Sequence, residues 1–259
     1  MKEPTHKLSI ITISYNCAKE LEGTIRSVTE QSFSDVEYII VDGGSKDGSP
    51  EVIKKYEARI SKWVSEPDNG IYDAMNKGLN MAAGEYVLFM NAGDIFYASD
   101  ALEKIPFSEF PDADIFYGET LSVDEKGNEL GLRPKTLPHN LNWKHFRNGM
   151  VVCHQSFLVK RELAPDYNMN YKLSADVDWV IKCLKRSQQT VFTGTIISRF
   201  LEGGASKQRH GESLKERFCV MKQNFGLRLT LWKHAGFILN ELSVKLGLKN
   251  QYRNNYLSD

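Results

Sequence analysis

The sequence predicts an α/β fold built on a parallel or mostly parallel sheet. Over the first hundred of the 259 residues, apolar strand-like runs alternate at short intervals with segments of helical periodicity, a pattern typical of parallel strands covered by helices. Three of these runs end in short polar clusters, at residues 14–16, 42–45 and 91–94. Because the carboxyl ends of parallel strands form the ligand crevice of an open sheet, we expect these clusters to form a site for a polar, phosphorylated ligand.

The first half of the chain predicts strands and helices in strict alternation. Leu21, Ile25 and Val28 recur at the spacing of one helix face. Pro50 suits the first turn of a helix, where its missing N–H is no loss, and Gly84 stands where another helix would end. In chain order we predict strands at 8–13, 37–41, 62–65 and 85–90, with helices at 18–31, 49–56 and 71–82 between them.

The second half predicts a mixed sheet followed by helices. Periodic apolar residues predict a helix at 176–186, and residues 124–128 are typical of a turn. Shorter apolar runs predict strands at 114–118, 120–123, 151–159, 190–192 and 196–200. After a Gly-rich break at 202–206, the chain has helical periodicity from residue 211 onward. We therefore divide it into a domain at 1–206, with halves 1–100 and 101–206, and a helical extension at 207–259.

Composition and charge are those of an ordinary globular protein. Apolar residues make up 41% of the chain, and 33 Lys and Arg balance 33 Asp and Glu, so the net charge gives no argument for a nucleic-acid partner. The balance hides an asymmetry, because residues 205–259 carry ten Lys or Arg against four Asp or Glu. The helical extension is therefore basic.

We expect a cytoplasmic protein. The four cysteines lack the close spacing of a zinc site and suit free thiols in a reducing compartment. Residues 1–6 contain no apolar signal segment, and no run of about 18 apolar residues predicts a membrane-spanning helix.

Carboxylates at the strand ends are candidate ligand-binding groups. Asp42, Asp47 and Asp94 each follow a predicted buried strand, where a carboxylate loses water and needs a hydrogen-bond donor or a cation. A divalent ion that bridges a diphosphate would meet this need. The alternative is that these residues cap the following helices, and we favour capping for Asp47.

Other polar side chains offer weaker candidates. Asp73, Asn76 and Lys77 share one side of a predicted helix and would reach phosphate or ribose; the alternative is a solvated face with an Asp73–Lys77 ion pair. On spacing alone, Asp176 is typical of a helix N-cap. His154 is typical of an interior group in a strand, and the alternative is that His154, beside Gln155, lines a pocket. One basic residue near the Gly-rich break would close over phosphate, and the candidates are Arg199, Lys207 and Arg209.

The order of these motifs resembles that of the inverting family 2 glycosyltransferases of bacterial polysaccharide synthesis. The chain lacks the signatures of P-loop proteins, serine hydrolases and dinucleotide-binding proteins. The resemblance is strongest over residues 7–96 and thinner to about residue 206. It is carried by the segments 14–16, 41–48, 72–78, 84–86, 91–94 and 175–178. It implies a GT-A fold, a nucleotide-diphospho-sugar donor, most simply a UDP-sugar, and a divalent cation, Mn²⁺ or Mg²⁺.

The resemblance also implies roles for individual residues. Tyr15, with Asn16 beside it, would lie against the nucleotide base, and Asp42 would help to hold the uridine. Asn91 would lie at the donor, and Asp94 would be the carboxylate that contacts the metal.

Asp176 matches the acidic catalytic motif of the family and would be the general base. It would take a proton from an acceptor hydroxyl during a single inverting displacement.

The sequence departs from the family pattern at two places. Gly43 stands where many members have a second Asp, so a carboxylate that usually contacts the base is missing. Asn91 and Gly93 replace two acids of the metal motif, which should weaken metal binding because an amide oxygen is a poorer ligand than a carboxylate.

The basic extension and the overall function each leave alternatives open. Apolar and aromatic residues among Lys and Arg suit an interfacial helix at an anionic membrane, which fits a saccharide acceptor carried on a polyprenyl lipid. Packing on the chain's own domain or on a partner in a homodimer is the alternative. For the whole chain, the alternatives are a nucleotidyltransferase and an inactive sugar-nucleotide-binding protein.

Overall fold

The computed structural model describes residues 4–203, 209–246 and 253. Within these residues the strands are β1 (Leu8–Ser14), β2 (Val36–Asp42), β3 (Lys62–Ser65), β4 (Tyr86–Phe89), β5 (Ile95–Phe96), β6 (Ile115–Val123), β7 (Glu129–Leu132), β8 (Phe157–Lys160) and β9 (Thr190–Leu201). The α-helices are α1 (Ala18–Thr29), α2 (Ser49–Lys55), α3 (Ile71–Met81), α4 (Ala175–Arg186), α5 (His210–Phe225) and α6 (Leu227–Lys245).

One mixed sheet runs through the described part of the chain in the order β3-β2-β1-β4-β8-β6-β9-β5, with β7 beside β6. The strands of the first half, β1 to β4, are parallel to one another, as predicted. From β8 onward the directions mix, because β8 is antiparallel to both β4 and β6, whereas β9 is parallel to β6. The polar strand ends of β1, β2 and β4 therefore lie along one edge of the sheet.

Two pairs of predicted short strands are single long strands, and glycines explain the difference. The segments 114–118 and 120–123 form one strand, β6, with Gly118 inside it. A Cβ at Gly118 would lie 2.7 Å from Thr193 Oγ1, so this glycine permits a close approach by β9 and does not end the strand. The segments 190–192 and 196–200 likewise join as β9 around Gly194, whose φ is +69°, where the pairing with β6 shifts register.

The strand predicted at 151–159 is wrong over its first six residues. A short 3-10 turn, His154–Ser156, precedes β8, closed by a hydrogen bond from the Ser156 N–H to the Cys153 carbonyl. The turn directs Gln155 into the interior, where it is 3% exposed. An apolar run indicates burial but does not by itself distinguish a strand from such a turn.

Helices cover both faces of the sheet and bury its alternating side chains. On one face, Leu21 and Ile25 of α1 and Ile53 of α2 join the apolar core. On the other, α3 and α4 pack on the sheet. Gly78 of α3 lies so close to β1 that a Cβ would be 2.4 Å from Ile11 Cγ2, so the helix rests directly on the strand.

The C-terminal helices pack on the rest of the molecule, and α5 reaches the start of α4. The Glu216 carboxylate of α5 accepts the backbone N–H groups of Lys172, Leu173 and Ser174 at 2.8–3.0 Å. Val220 of α5 is fully buried in the core. Residues 204–208, which include Lys207 and the predicted boundary at 206/207, lie outside the described residues, and the division into domains stays a prediction. No helix in the described part is long and apolar enough to cross a membrane.

Candidate functional site

A cavity of about 840 Å³ opens at the strand-end edge of the sheet. The loop from β4 to β5 forms one wall, the starts of α3 and α4 form the opposite wall, and α5 contributes to its rim. Side chains from all of these elements meet in it, among them Tyr72, Asn91, Asp94, His154, Gln155, Asp176 and Arg217. The structure therefore brings together the predicted metal-site and catalytic residues, which are far apart in sequence.

Asp94 is a buried carboxylate on one wall of the cavity. It is 6% exposed, and its Oδ2 accepts a 2.7 Å hydrogen bond from Gln155 Nε2. Burial raises the pKa of Asp94 to about 6, although the Gln155 hydrogen bond acts in the opposite direction. An ionised Asp94 is therefore costly at neutral pH, and a cation beside it would relieve that cost.

Asn91 lies next to Asp94 and has a buried oxygen without a partner. Its Nδ2 lies 3.1 Å from His154 Nε2, while its Oδ1 has no hydrogen-bond partner among the described residues. An orphaned buried amide oxygen beside a desolvated carboxylate fits a divalent cation. Within the described residues no three His, Cys, Asp or Glu side chains cluster as a metal site. Mg²⁺ is commonly bound by one or two carboxylates together with substrate phosphates and water.

Asp176 lies on the opposite wall, at the second residue of α4. The N-cap position of this helix is Ser174, so the capping interpretation of Asp176 is wrong. Its Oδ1 accepts a 3.4 Å hydrogen bond from the Tyr72 hydroxyl. Burial alone would raise the pKa of Asp176, but His154 and Arg217 outweigh it, and the pKa is below its ordinary value. Asp176 is therefore ionised at neutral pH, as a general base must be.

His154 connects the two walls, a role that the sequence pattern barely indicated. Its Nδ1 is 3.9 Å from Asp176 Oδ2 and its Nε2 faces Asn91. If Asn91 donates to Nε2, the ring proton is on Nδ1 and points toward Asp176. The interpretation of His154 as an interior group within a strand is wrong, and the alternative that it lines a pocket is confirmed, because the 3-10 turn places it at the cavity. The sequence feature that could have indicated this position is the polar His-Gln pair within an apolar run.

Asp42 is fully enclosed at the end of β2. It is 0% exposed, and its two oxygens accept four hydrogen bonds, from the hydroxyls of Ser14, Ser45 and Ser65 and from the Ser45 N–H. Burial would raise the pKa of Asp42, but these donors together lower it. The carboxylate holds the ends of three strands together, and its four acceptor positions are all occupied within the protein.

Tyr15 and Asn16 form the loop after β1, beside Asp42 but outside the lining of the large cavity. The Tyr15 ring is 65% exposed. Asn16 has a left-handed backbone with φ of 49°, and its side-chain oxygen accepts the Lys46 N–H at 3.0 Å. An exposed ring at the strand ends is available to pack on a flat ligand.

The predicted helix face at the start of α3 does not line the large cavity. Asp73 accepts hydrogen bonds from Asn69, and the Asn76 amide pairs with both backbone groups of Tyr167. Lys77 forms a 2.8 Å ion pair with Glu66 and lies 4.0 Å from Asp73. All three side chains make contacts within the protein, and donor binding by them stays a prediction.

Asp47 contacts the starts of two helices, as the capping alternative expects, although the N-cap residues themselves are Cys17 for α1 and Gly48 for α2. Its carboxylate accepts the Ser49 N–H and hydroxyl at the start of α2 and the Ala18 N–H at the start of α1.

The cations that line the cavity differ from those that the sequence suggested. Arg199 pairs with Glu129 and Arg209 with Glu212, and neither lines the cavity. Lys207 is outside the described residues. The basic side chains that do line it are Lys19, Arg133, Lys172 and Arg217.

The chain matches known proteins along much of its length. The family model described as glycosyl transferase family 2 matches residues 9–167. A PGL/p-HBAD biosynthesis glycosyltransferase of Mycobacterium bovis is 27% identical over 233 residues, which cover 86% of this chain and 88% of that protein. An uncharacterised glycosyltransferase of Mycobacterium tuberculosis is 38% identical over 189 residues, which cover 68% of each chain.

Solved glycosyltransferase structures share the fold. Staphylococcus aureus TarS residues 1–349, in complex with UDP-GlcNAc, superposes with a TM-score of 0.66 at 18% identity, covering 83% of this chain and 65% of that one. The mannosyltransferase PcManGT from Pyrobaculum calidifontis, in complex with GDP-Man and Mn²⁺, gives a TM-score of 0.63 at 16% identity, covering 98% of this chain and 83% of that one. The chain belongs to glycosyl transferase family 2, and its mixed sheet with flanking helices is the GT-A fold of a glycosyltransferase.

Proposed function

We propose that this glycosyltransferase moves a sugar from a nucleoside-diphospho-sugar, in the first instance a UDP-sugar, to a hydroxyl of a saccharide acceptor with inversion, in cell-surface polysaccharide biosynthesis. The observation that carries the proposal is the pairing of two unlike carboxylates across one cavity. Asp94 is desolvated and has a raised pKa, whereas Asp176 has a lowered pKa. The first suits a cation and diphosphate, and the second suits proton removal.

In the proposed reaction, Asp176 accepts the proton of the acceptor hydroxyl while that oxygen forms a bond to the anomeric carbon. The bond between the anomeric carbon and the diphosphate oxygen breaks, and the nucleoside diphosphate leaves with both electrons. One in-line attack inverts the anomeric centre. His154 and Tyr72 hold the Asp176 carboxylate in place, and Arg217 contributes positive charge at the rim.

Asp94 and the Asn91 amide oxygen would hold a divalent cation, Mn²⁺ or Mg²⁺, which when bound offsets the charge of the diphosphate. We assign the nucleoside side of the donor to the strand ends of β1 and β2, with Tyr15 packing on the base and Asn16 and Asp42 shaping the loop around it. Asp73, Asn76 and Lys77 support this side from α3.

A donor panel tests the proposal. UDP-sugars and GDP-sugars are incubated with the protein and Mn²⁺, with and without saccharide acceptors, and the released nucleoside diphosphate is measured. We expect release with at least one donor, and an anomeric configuration in the product opposite to that of the donor. Asp176→Asn should bind UDP like the wild type but transfer no sugar.

Adding nucleoside triphosphates and sugar phosphates to the panel separates the alternatives. Release of pyrophosphate from a nucleoside triphosphate and a sugar phosphate would identify a nucleotidyltransferase instead. Nucleotide binding without turnover by any donor would identify an inactive binding protein. Wild-type turnover by Asp176→Asn would exclude Asp176 as the base.

We further propose that α6 brings the enzyme to an anionic membrane, where the acceptor is carried on a polyprenyl lipid. Leu227, Leu231 and Trp232 are 48%, 54% and 69% exposed and recur on one outward side of the helix with Arg228, which is also exposed. Apolar and basic side chains on one exposed face suit the boundary between lipid headgroups and acyl chains.

Vesicle flotation tests the membrane proposal. We expect the wild type to float with phosphatidylglycerol vesicles, and the double variant Leu231→Glu with Trp232→Glu to remain in solution. Leu214→Glu, at a leucine of α5 that is 39% exposed, is the matched control and should float. Equal flotation of all three proteins would exclude α6 as the membrane contact. A dimer in light scattering that only the double variant dissociates would assign this face to a homodimer.

A further inference from the structure

We propose that Asp68 selects the nucleobase of the donor by accepting a ring N–H group, from a position in the space that a side chain at residue 43 would fill. The inference rests on the proposed nucleotide-sugar donor and adds a residue that determines its specificity.

The argument starts at Gly43, the first residue after β2. Its N–H donates to the Ser14 carbonyl at 2.9 Å, which fixes it at the junction of β1 and β2. A Cβ built on Gly43 would lie 2.5 Å from Asp68 Oδ2 and 3.1 Å from Tyr15 Cδ2. The φ of Gly43 is not in the left-handed region, so its backbone conformation is open to other residues. The Asp68 carboxylate therefore occupies the volume that a side chain at residue 43 would take.

The Asp68 carboxylate is oriented and keeps one oxygen available. Its Oδ1 accepts the Gly70 N–H at 2.8 Å, which fixes the plane of the group. Oδ2 lies toward Gly43 and the exposed Tyr15 ring and pairs with no donor in the described part of the chain. Asp42, by contrast, is fully buried with both oxygens occupied. Of these two carboxylates, only Asp68 can accept a hydrogen bond from a ligand at Tyr15.

This arrangement has a defined chemical preference. A carboxylate is an acceptor only, so a base packed on Tyr15 must present a donor to it. At the ring-nitrogen position uracil presents N3–H and guanine presents N1–H, whereas cytosine N3 and adenine N1 are acceptors that a carboxylate repels. The amino groups of cytosine and adenine lie beside that nitrogen, so a carboxylate placed at the ring nitrogen still disfavours both bases. A hydrogen bond to a charged group discriminates by roughly 10- to 100-fold. We therefore expect uridine or guanosine diphosphates to bind more tightly than cytidine or adenosine diphosphates.

Calorimetry with UDP, GDP, CDP and ADP tests the inference. The wild type should bind UDP or GDP at least tenfold more tightly than CDP and ADP. Asp68→Asn should weaken binding of the preferred nucleotide by roughly 10- to 100-fold. It should also improve binding of CDP relative to that nucleotide, because the amide can donate to cytosine N3. The amide oxygen of the substituted side chain can still accept the Gly70 N–H, so the fold should be unaffected. Asp112→Asn, an equivalent change at an exposed site, should match the wild type.

A position swap adds a second readout. Gly43→Asp combined with Asp68→Gly moves the carboxylate to the neighbouring loop and should recover part of the lost UDP or GDP affinity. An unchanged ranking of the four nucleotides in Asp68→Asn would overturn the inference. Failure of the proposed function gives a different result. In that case the protein would still select the base through Asp68 but would transfer no sugar. Wild-type protein that binds none of the four nucleotides would overturn both.

Discussion

His154 Nδ1 lies 3.9 Å from the Oδ2 atom of Asp176, while Gln155, the next residue, donates to Asp94 at 2.7 Å. Two consecutive residues of one short turn therefore contact both carboxylates of the cavity. The turn couples the geometry of the proposed base to that of the proposed cation site, which are on opposite walls.

His154 should matter through the pKa of Asp176. His154 lowers that pKa against the effect of burial, so His154→Ala should raise it. The acidic limb of the pH–rate profile of sugar transfer should then move to higher pH, so transfer should fall more at acidic than at neutral pH. UDP affinity should stay within a few-fold of the wild type. A variant with a lower rate but an unshifted acidic limb would show that His154 has a purely structural role.

Asp94→Asn should stabilise the protein at neutral pH. The pKa of Asp94 is about 6 in the folded protein against an ordinary value of 3.8. Between these values the folded state holds a proton that the unfolded chain has lost, so stability falls as the pH rises through this window. The variant avoids this loss and should gain up to about 3 kcal/mol well above pH 6, with little gain near pH 4. Thermal melts of both proteins from pH 4 to 8 measure the difference, and a gain independent of pH would contradict this explanation.

Asn91→Asp should strengthen cation binding, because a carboxylate replaces an amide whose oxygen is buried without a partner among the described residues. We expect Mn²⁺, added with UDP, to raise the melting temperature of this variant more than that of the wild type, and to have little effect on Asp94→Ala. Equal shifts in all three proteins would place the cation elsewhere.

Glu216 should link the C-terminal helices to the site. It accepts three backbone N–H groups before α4. In Glu216→Gln the side-chain NH₂ group would face at least one of these N–H donors, which should cost about 1–3 kcal/mol of stability. It should also lower sugar transfer by displacing Asp176. Glu212→Gln on the same helix removes only an exposed pair with Arg209 and should change stability by less than about 0.5 kcal/mol. Denaturant melts and transfer rates of both variants check the contrast.

The parallel half of the sheet could be predicted because its signals are local. The apolar run around Ile11 and the helical spacing of Leu21 and Ile25 are consequences of side-chain burial within single elements, and the predicted bounds agree closely with β1 and α1. The strand breaks predicted between residues 118 and 120 and between 192 and 196 were wrong. Gly118 permits a close approach by the neighbouring strand and Gly194 lies at a register shift, and the local pattern contains neither contact.

The sequence by itself determined the α/β class, the polar strand ends and the order of motifs that marks the family, since each depends on residues close together along the chain. Only the tertiary structure decided which side chains meet: His154 between Asn91 and Asp176, and Asp68 in the space beside Gly43. These contacts join residues separated by long stretches of chain. Their geometry is set by sheet order and helix packing, which no local pattern specifies.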